Sequence, residues 1–299
     1  MRTEIDPSDL CRALNGRWRG NYGTAACPVC QRDRRADQDA LTIGTGDDGR
    51  LLLHCKRAGC AFADVLTAAG VRPGAFTAPD PLEVARRLEA QRAQEQKRAD
   101  AAARTWAQAQ PIGGTVAEAY LRGRGIRSAL GPALRFHPRC LHGPTGQRLP
   151  AMVARIAGGE GVAIHRTYLR PDGSGKAAVT PSKAMLGSAR GGAVRLLEGP
   201  RRLLVAEGIE TALSAAALLE DPATVWAALS ASGMQGLTLP PLANGRAAPL
   251  IVAVDGDDAG RAAGRALAQR ATATGWHVKI ADPGDGLDFN DLTQAEGAA

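Results

Sequence analysis

The spacing of apolar and polar positions changes character along the chain. Up to about residue 71 apolar residues come in short runs broken by turns. Stretches at Ala40–Gly44 and Arg50–His54, separated by the turn Gly46-Asp47-Asp48-Gly49, predict two strands, and Phe62–Ala69 predicts a short helix. The segment VRPGAFTAPDP that follows is rich in Pro and Gly and reads as a boundary. From Leu82 to about Gln108 the chain is dominated by Ala, Arg, Gln and Glu without Gly or Pro, which predicts one long helix. Its apolar stripe is thin, so most of its length is expected to face solvent, spacing the first unit from the rest.

After Pro111-Ile112-Gly113-Gly114 comes a helix ending in the basic turn AYLRGRGI. A mixed region of turns and short strands then runs to about residue 197, with strands expected at Ala151–Ile156 and Val162–Tyr168 and a turn at PDGSGK. Beyond Pro200 the runs RRLLVA, TVWAALS, PLIVAV and HVKIA alternate with helical stretches, the pattern of a parallel sheet covered by helices. The expected division is residues 1–71, 72–110, 111–199 and 200–299, in an α/β chain whose parallel sheet follows a mixed α+β basic region and a small cysteine-bearing module.

Composition adds a partner class. A net charge of +7 in 299 residues favours a polyanion. No run is apolar and long enough for a membrane span, and MRTEIDPSDL lacks the layout of a signal peptide, so a cytoplasmic location without membrane contact is expected. In a reducing compartment six cysteines are better metal ligands than disulfide partners. Cys27-Pro28-Val29-Cys30 and Cys55-Lys56-Arg57-Ala58-Gly59-Cys60 provide two chelating turns, the arrangement that closes a tetrahedral zinc site. Unligated thiols or a redox pair are the alternative. His54 is a weaker substitute ligand, because adjacent strand residues point to opposite faces. Cys11 and Cys140 are expected to be packing residues. A four-sulfur site has no open position for substrate, so its role would be to fold a small module. Arg32, Arg34, Arg35, Lys56 and Arg57 would give that module a basic surface for a phosphate backbone, or serve only as solubilising charges.

In RRLLVAEGIETALSAAALLE an apolar strand runs into Glu207, Gly208 turns, and a helix follows; PLIVAVDGDDAGRAAGRALAQRA repeats this with Asp255-Gly256-Asp257. Both carboxylate sets then stand at the carboxyl ends of parallel strands, where such sheets bind ligands. Hard oxygen donors so placed suit magnesium, which keeps waters for substrate phosphates.

These two elements, in this order, resemble the Toprim domain shared by bacterial-type primases, topoisomerases and some nucleases, over about residues 200–292. The resemblance implies that Glu207, Asp255 and Asp257 hold catalytic magnesium, with manganese as a possible substitute. It also places Asp288, and Asp291 as a further candidate, of GLDFNDL near the same edge. Glu210 stands where many primases have Asp, either as a lineage variant or as a helix-end carboxylate with no metal role.

Together with the cysteine module, the helical spacer and the basic segments HRTYLRPDGSGKA and PSKAMLG, the whole chain is similar to phage and plasmid primases of the Toprim type. That resemblance implies a DNA primase acting on single-stranded template and nucleoside triphosphates. Lys183 would be a catalytic-site cation, Arg166 and Lys176 would contact template or nucleotide, and Arg155 and His165 are further candidates. Cys30 replaces the histidine of the Cys-Pro-x-His form found in replicative bacterial primases, which affects template preference more than the metal.

No G-x-x-x-x-G-K-[ST] motif is present, so a separate replicative helicase is an expected partner. The competing readings are a Toprim nuclease, a topoisomerase, or a non-catalytic single-strand-binding accessory protein. A topoisomerase needs a nucleophilic tyrosine, and the tyrosines are Tyr22, Tyr120 and Tyr168, the last two at positions that fit packing. Against the accessory role, clustered carboxylates repel one another and have little structural use without a cation.

Overall fold

The computed structural model describes residues 6–19, 22–33, 35, 37–46, 50–71, 81–159, 161–200, 202–242 and 247–297. Arg34, positions 47–49 of the expected turn and positions 72–80 of the Pro- and Gly-rich boundary lie outside the described residues. Two compact units are present, Met1–Ala93 and Gln94–Ala299.

In the first unit, α1 (Pro7–Ala13) starts where the Asp6 carboxylate accepts a 2.7 Å hydrogen bond from the Ser8 amide. Strands β1 (Arg17–Trp18), β2 (Tyr22–Ala25), β3 (Leu41–Thr45) and β4 (Leu51–Cys55) form an antiparallel sheet in that order, followed by α2 (Phe62–Ala68). The two strands and the helix expected here are β3, β4 and α2. The elements α1, β1 and β2 were not anticipated, because runs this short carry too few positions to establish a period. Leu10, Cys11, Leu14, Leu41, Ile43 and Val65 make the core, so Cys11 is a packing residue.

The long helix appears as α3 (Pro81–Gln108) and is largely exposed as far as Asp100. Its end differs from the solvated spacer expected: Ala102 and Trp106, one turn apart on one face, enter the core of the second unit. There Arg135 stacks on the Trp106 ring, with its guanidinium carbon 4.4 Å from the centroid.

In the second unit, β5 (Gln110–Pro111), α4 (Val116–Gly123), β6 (Leu134–Leu141), β7 (Arg148–Ile156), β8 (Ala163–Tyr168) and β9 (Lys183–Gly187) build an antiparallel sheet in the order β5-β6-β7-β8-β9. Two of these strands, β7 and β8, were expected. Alternation along β7 divides the sheet into two faces: Met152, Ala154 and Ile156 enter one core, Ala151 and Val153 the other. Cys140 lies in the second of these cores, again a packing residue.

The remaining elements are β10 (Val194–Leu197), β11 (Leu203–Ala206), α5 (Ile209–Ala217), β12 (Thr224–Ala227), α6 (Ala231–Gly236), β13 (Pro249–Ala253), α7 (Asp258–Ala273), β14 (His277–Ala281) and α8 (Phe289–Gly297). Their sheet runs β10-β12-β11-β13-β14. The four apolar runs beyond Pro200 are its four parallel strands, and β10 adds an antiparallel edge that the pattern did not reveal. All four residues of β11 are buried, as a strand covered on both sides requires. The even-numbered face of β7 shares a core with Leu204, Ile209 and Ala212, so the two sheets of this unit are packed together. Among the described residues no helix is long and apolar enough to cross a membrane.

Candidate functional site

Two clusters of ligand-type side chains emerge. In the first unit the Sγ atoms of Cys27, Cys30, Cys55 and Cys60 all lie within 4.8 Å of one another, with Cys30 and Cys55 at 3.5 Å. A tetrahedral ion with sulfurs at about 2.3 Å needs sulfur–sulfur edges of about 3.8 Å, so the quartet has metal-binding dimensions. One pair follows β2. Its turn is held by the buried Gln31, whose Oε1 accepts from the amides of Cys27 at 3.0 Å and Ala40 at 3.2 Å. The other pair starts at the last residue of β4 and turns through Gly59, whose φ of +59° suits glycine. Burial raises the Cys55 thiol, but the amides of Ala58, Cys60 and Arg57 outweigh it and bring the group down to about 6. His54 is exposed on the opposite side of β4 from the buried Cys55, which removes it from the ligand set.

Around the quartet, Arg32, Arg35, Lys56 and Arg57 are exposed. Arg35 is paired with Asp33 at 3.5 Å and Asp37 at 3.4 Å, so this surface is less basic than its arginine and lysine content implies.

The second cluster lies at the carboxyl ends of the parallel strands. Glu207 follows β11, and Asp255 and Asp257 follow β13. Asp257 caps α7, its Oδ1 accepting from the Gly260 amide at 2.6 Å. Between them Gly256 runs against the loop before α8: its amide donates to the Leu287 carbonyl and its carbonyl accepts from the Gly286 amide, both at 2.8 Å. A Cβ at Gly256 would overlap the carbonyl oxygen of Gly284, which explains the glycine and brings Asp288 toward Asp255. Asp288 itself caps α8, accepting from the amides of Asn290 at 2.7 Å and Asp291 at 2.9 Å.

Electrostatics tie these groups together. Burial raises Glu207, and so do the charges of Asp255 and Asp257. Burial raises Asp255 too, followed by Asp288 and Asp257, while Lys183 opposes the rise in both. Among the described residues the Oδ1 atom of Asp255 is buried without a hydrogen-bond partner. A hard cation would answer both the repulsion and this orphaned oxygen, so the donor set fits magnesium. The rim is looser than the thiol site; among the described residues only the cysteines close to one-ion spacing.

The antiparallel sheet supplies cations. Lys183 opens β9, and Lys176 lies in a bridge with Leu169. Both meet Glu210 in the first turn of α5, at 3.4 Å from Lys183 and 3.9 Å from Lys176. Tyr120 of α4 donates to the same carboxylate at 2.7 Å. These partners overcome burial and hold Glu210 down at about 2. His165, buried, lies near this network and is held down at about 4 by burial and then by Lys183.

Arg166 and Arg155 are not brought to the same place, since alternation turns both to the sheet face away from His165. There Arg166 donates to the carbonyls of Leu141 at 3.2 Å and Met185 at 3.3 Å, and Arg155 is exposed. Asp291 instead accepts from the Asp288 amide at 2.9 Å. Tyr120 and Tyr168 are both buried, with Tyr168 donating to the Leu141 carbonyl at 2.8 Å.

Sequence reasoning missed Glu210 as a hub, Tyr120 as its partner, and Asn290. The last is fully buried and donates to the Arg124 carbonyl at 2.7 Å and Ser214 Oγ at 2.9 Å, pinning α8 to α5. In the sequence Glu210 is singled out only as a residue standing where the resembling primases have Asp; its partners come from distant segments that the sequence does not bring together.

The sheet order, the two strand–carboxylate–helix units and the DGD turn define a Toprim domain, and residues 202–299 match the family described as "Toprim domain". Residues 96–196 match a family described as "Domain of unknown function (DUF7146)". No curated protein matches the chain. Among solved structures it is similar to a DNA primase domain from Pseudomonas aeruginosa, with 18% identity and a TM-score of 0.41 over 67% of this chain and 75% of that one. It is also similar to the zinc-binding and RNA polymerase domains of Aquifex aeolicus primase, with 16% identity and a TM-score of 0.41 over 99% and 81% of the two chains. For the primase fragment of the bacteriophage T7 primase-helicase protein the values are 15% and 0.36, over 92% and 98%.

Proposed function

We propose that this protein is a DNA primase that joins nucleoside triphosphates on a single-stranded DNA template. The observation that carries the reading is that Lys183 and Lys176 from the antiparallel-sheet half reach Glu210, three residues after Glu207, at 3.4 and 3.9 Å: cations stand beside the carboxylate rim of the Toprim sheet. Transfer of a nucleotide needs both, since the triphosphate is polyanionic and charge grows on the leaving pyrophosphate.

In this mechanism a 3′-hydroxyl attacks the α-phosphate and pyrophosphate leaves. Glu207, Asp255 and Asp257 would hold magnesium, with Asp288 beside them, and the ion polarises the phosphate when bound. Lys183 and Lys176 bind phosphate oxygens and orient the triphosphate. His165, uncharged at neutral pH, can accept or donate one hydrogen bond without adding charge. The cysteine quartet holds a structural zinc, and its module retains the template. In function the chain divides as its sequence reads, into a zinc module, a helical spacer, a basic half-core and the Toprim half-core. A separate helicase supplies unwound template.

The test incubates the full chain with random-sequence single strands, magnesium and labelled ribonucleotides. Primer products from the native chain and none from Asp255→Ala, which should still bind DNA, are expected. Cleavage of the strands without ribonucleotides would instead identify a nuclease; strand binding without either product would identify an accessory protein.

A further inference from the structure

Glu210 has no place in the metal rim, yet it is the most heavily partnered carboxylate of the second unit among the described residues. Its side chain is almost inaccessible and takes hydrogen bonds from Tyr120 on α4 and Lys183 on β9 and an ion pair from Lys176 after β8, three partners from three parts of the fold. The two lysines lie close enough to repel one another, and each is only about one-third exposed. Left alone, two half-buried ammonium groups would swing apart into water. A carboxylate anchored behind them by α5 and Tyr120 holds them side by side.

We infer that Glu210 is a positioning residue, clamping Lys176 and Lys183 into a fixed pair aimed at the triphosphate beside the acidic rim. The assignment rests on the nucleotide reading given above, but the clamp itself does not. An anion behind two phosphate-binding cations weakens their pull on a polyanion; its use is geometric. Removing it should therefore leave triphosphate binding intact, or strengthen it, while harming the reaction step that depends on aim. A purely structural carboxylate would show no such split.

The charged and titratable groups around the pair are Glu210 and Glu207 behind and beside it, Asp255 across the rim, His165 on β8, Arg124 after α4 and Tyr120 on α4. The variant Glu210→Gln keeps the shape and an acceptor for Tyr120, while removing the charge. Glu210→Asp keeps the charge but draws it back by one methylene, so the network stays neutralised if the amide variant fails to fold.

Two measurements on the full chain decide the matter. Lysine acetylation followed by mass spectrometry should show Lys176 and Lys183 modified several-fold faster in either variant, with Lys279 unchanged. Primer synthesis should show kcat lower by roughly 10- to 100-fold with the KM for nucleoside triphosphate not raised. Unchanged acetylation of both lysines, or unchanged kcat in a folded variant, overturns the clamp. Faster acetylation in the variants of a protein whose native form makes no primer would uphold the clamp and overturn the primase reading.

Discussion

The phenol of Tyr120 donates a 2.7 Å hydrogen bond to the buried carboxylate of Glu210, joining the helix between the first two strands of the antiparallel sheet to the first turn of a Toprim helix. Burial first, and then the Glu210 charge, hold the phenol in its protonated form far above the usual tyrosine range. A hydrogen bond to a charged partner contributes about 1.5–3 kcal/mol. Tyr120→Phe is expected to destabilise the second unit by that order, with the ion pairs to Lys176 and Lys183 retained. Urea unfolding followed by circular dichroism checks this.

The same carboxylate makes stability depend on acid. Its folded-state value, about 2, lies below the ordinary glutamate value of 4.5. The stabilisation is therefore fully present above 4.5 and is lost as pH falls toward 2. Thermal melts from pH 6 to 2 should lose part of their acid limb in Glu210→Gln relative to the native chain.

Asp255 behaves in the opposite sense. Its proton is held more tightly in the fold than in the unfolded chain, through burial and then the charges of Asp288 and Asp257. The favourable contribution is present below its ordinary value of 3.8 and is lost as pH rises through the folded value, so at neutral pH ionised Asp255 destabilises the metal-free protein. Asp255→Asn should raise Tm in chelator-treated buffer by about 2–4 °C, the shift that about 1 kcal/mol produces in a unit of this size. Magnesium should stabilise the native chain more than the variant.

On the zinc reading proposed for the cysteine quartet, the first unit depends on its metal. Removal of zinc with a strong chelator should expose the amides of β2 to β4 to hydrogen exchange while the Toprim strands stay protected, and Cys27→Ser should do the same without chelator. Exchange followed by mass spectrometry reads both units in one sample.

Much of the site was legible along the chain because its parts are local. A strand running into Glu207, a glycine, and a helix can be read from consecutive residues, and so can the two cysteine turns. The glycine between Asp255 and Asp257 can be read along the chain; what it accommodates, the carbonyl of Gly284, comes from a segment that follows a whole helix and strand. Arg166 and Arg155 illustrate the opposite case. The family resemblance made them candidates, and strand alternation placed them on the face away from His165, a division that depends on which side of the sheet the Toprim half covers.

The amino-acid order alone determined the parallel strands after Pro200, the carboxylates at their ends and the pairing of cysteines into chelating turns, because each follows from spacing within one or two elements. Only the tertiary structure decided the antiparallel sheet, the edge strand β10 and the burial of Glu210 among Tyr120, Lys176 and Lys183. Those depend on contacts between distant segments, where a charged side chain is stable only once its partners have been carried to it by the fold.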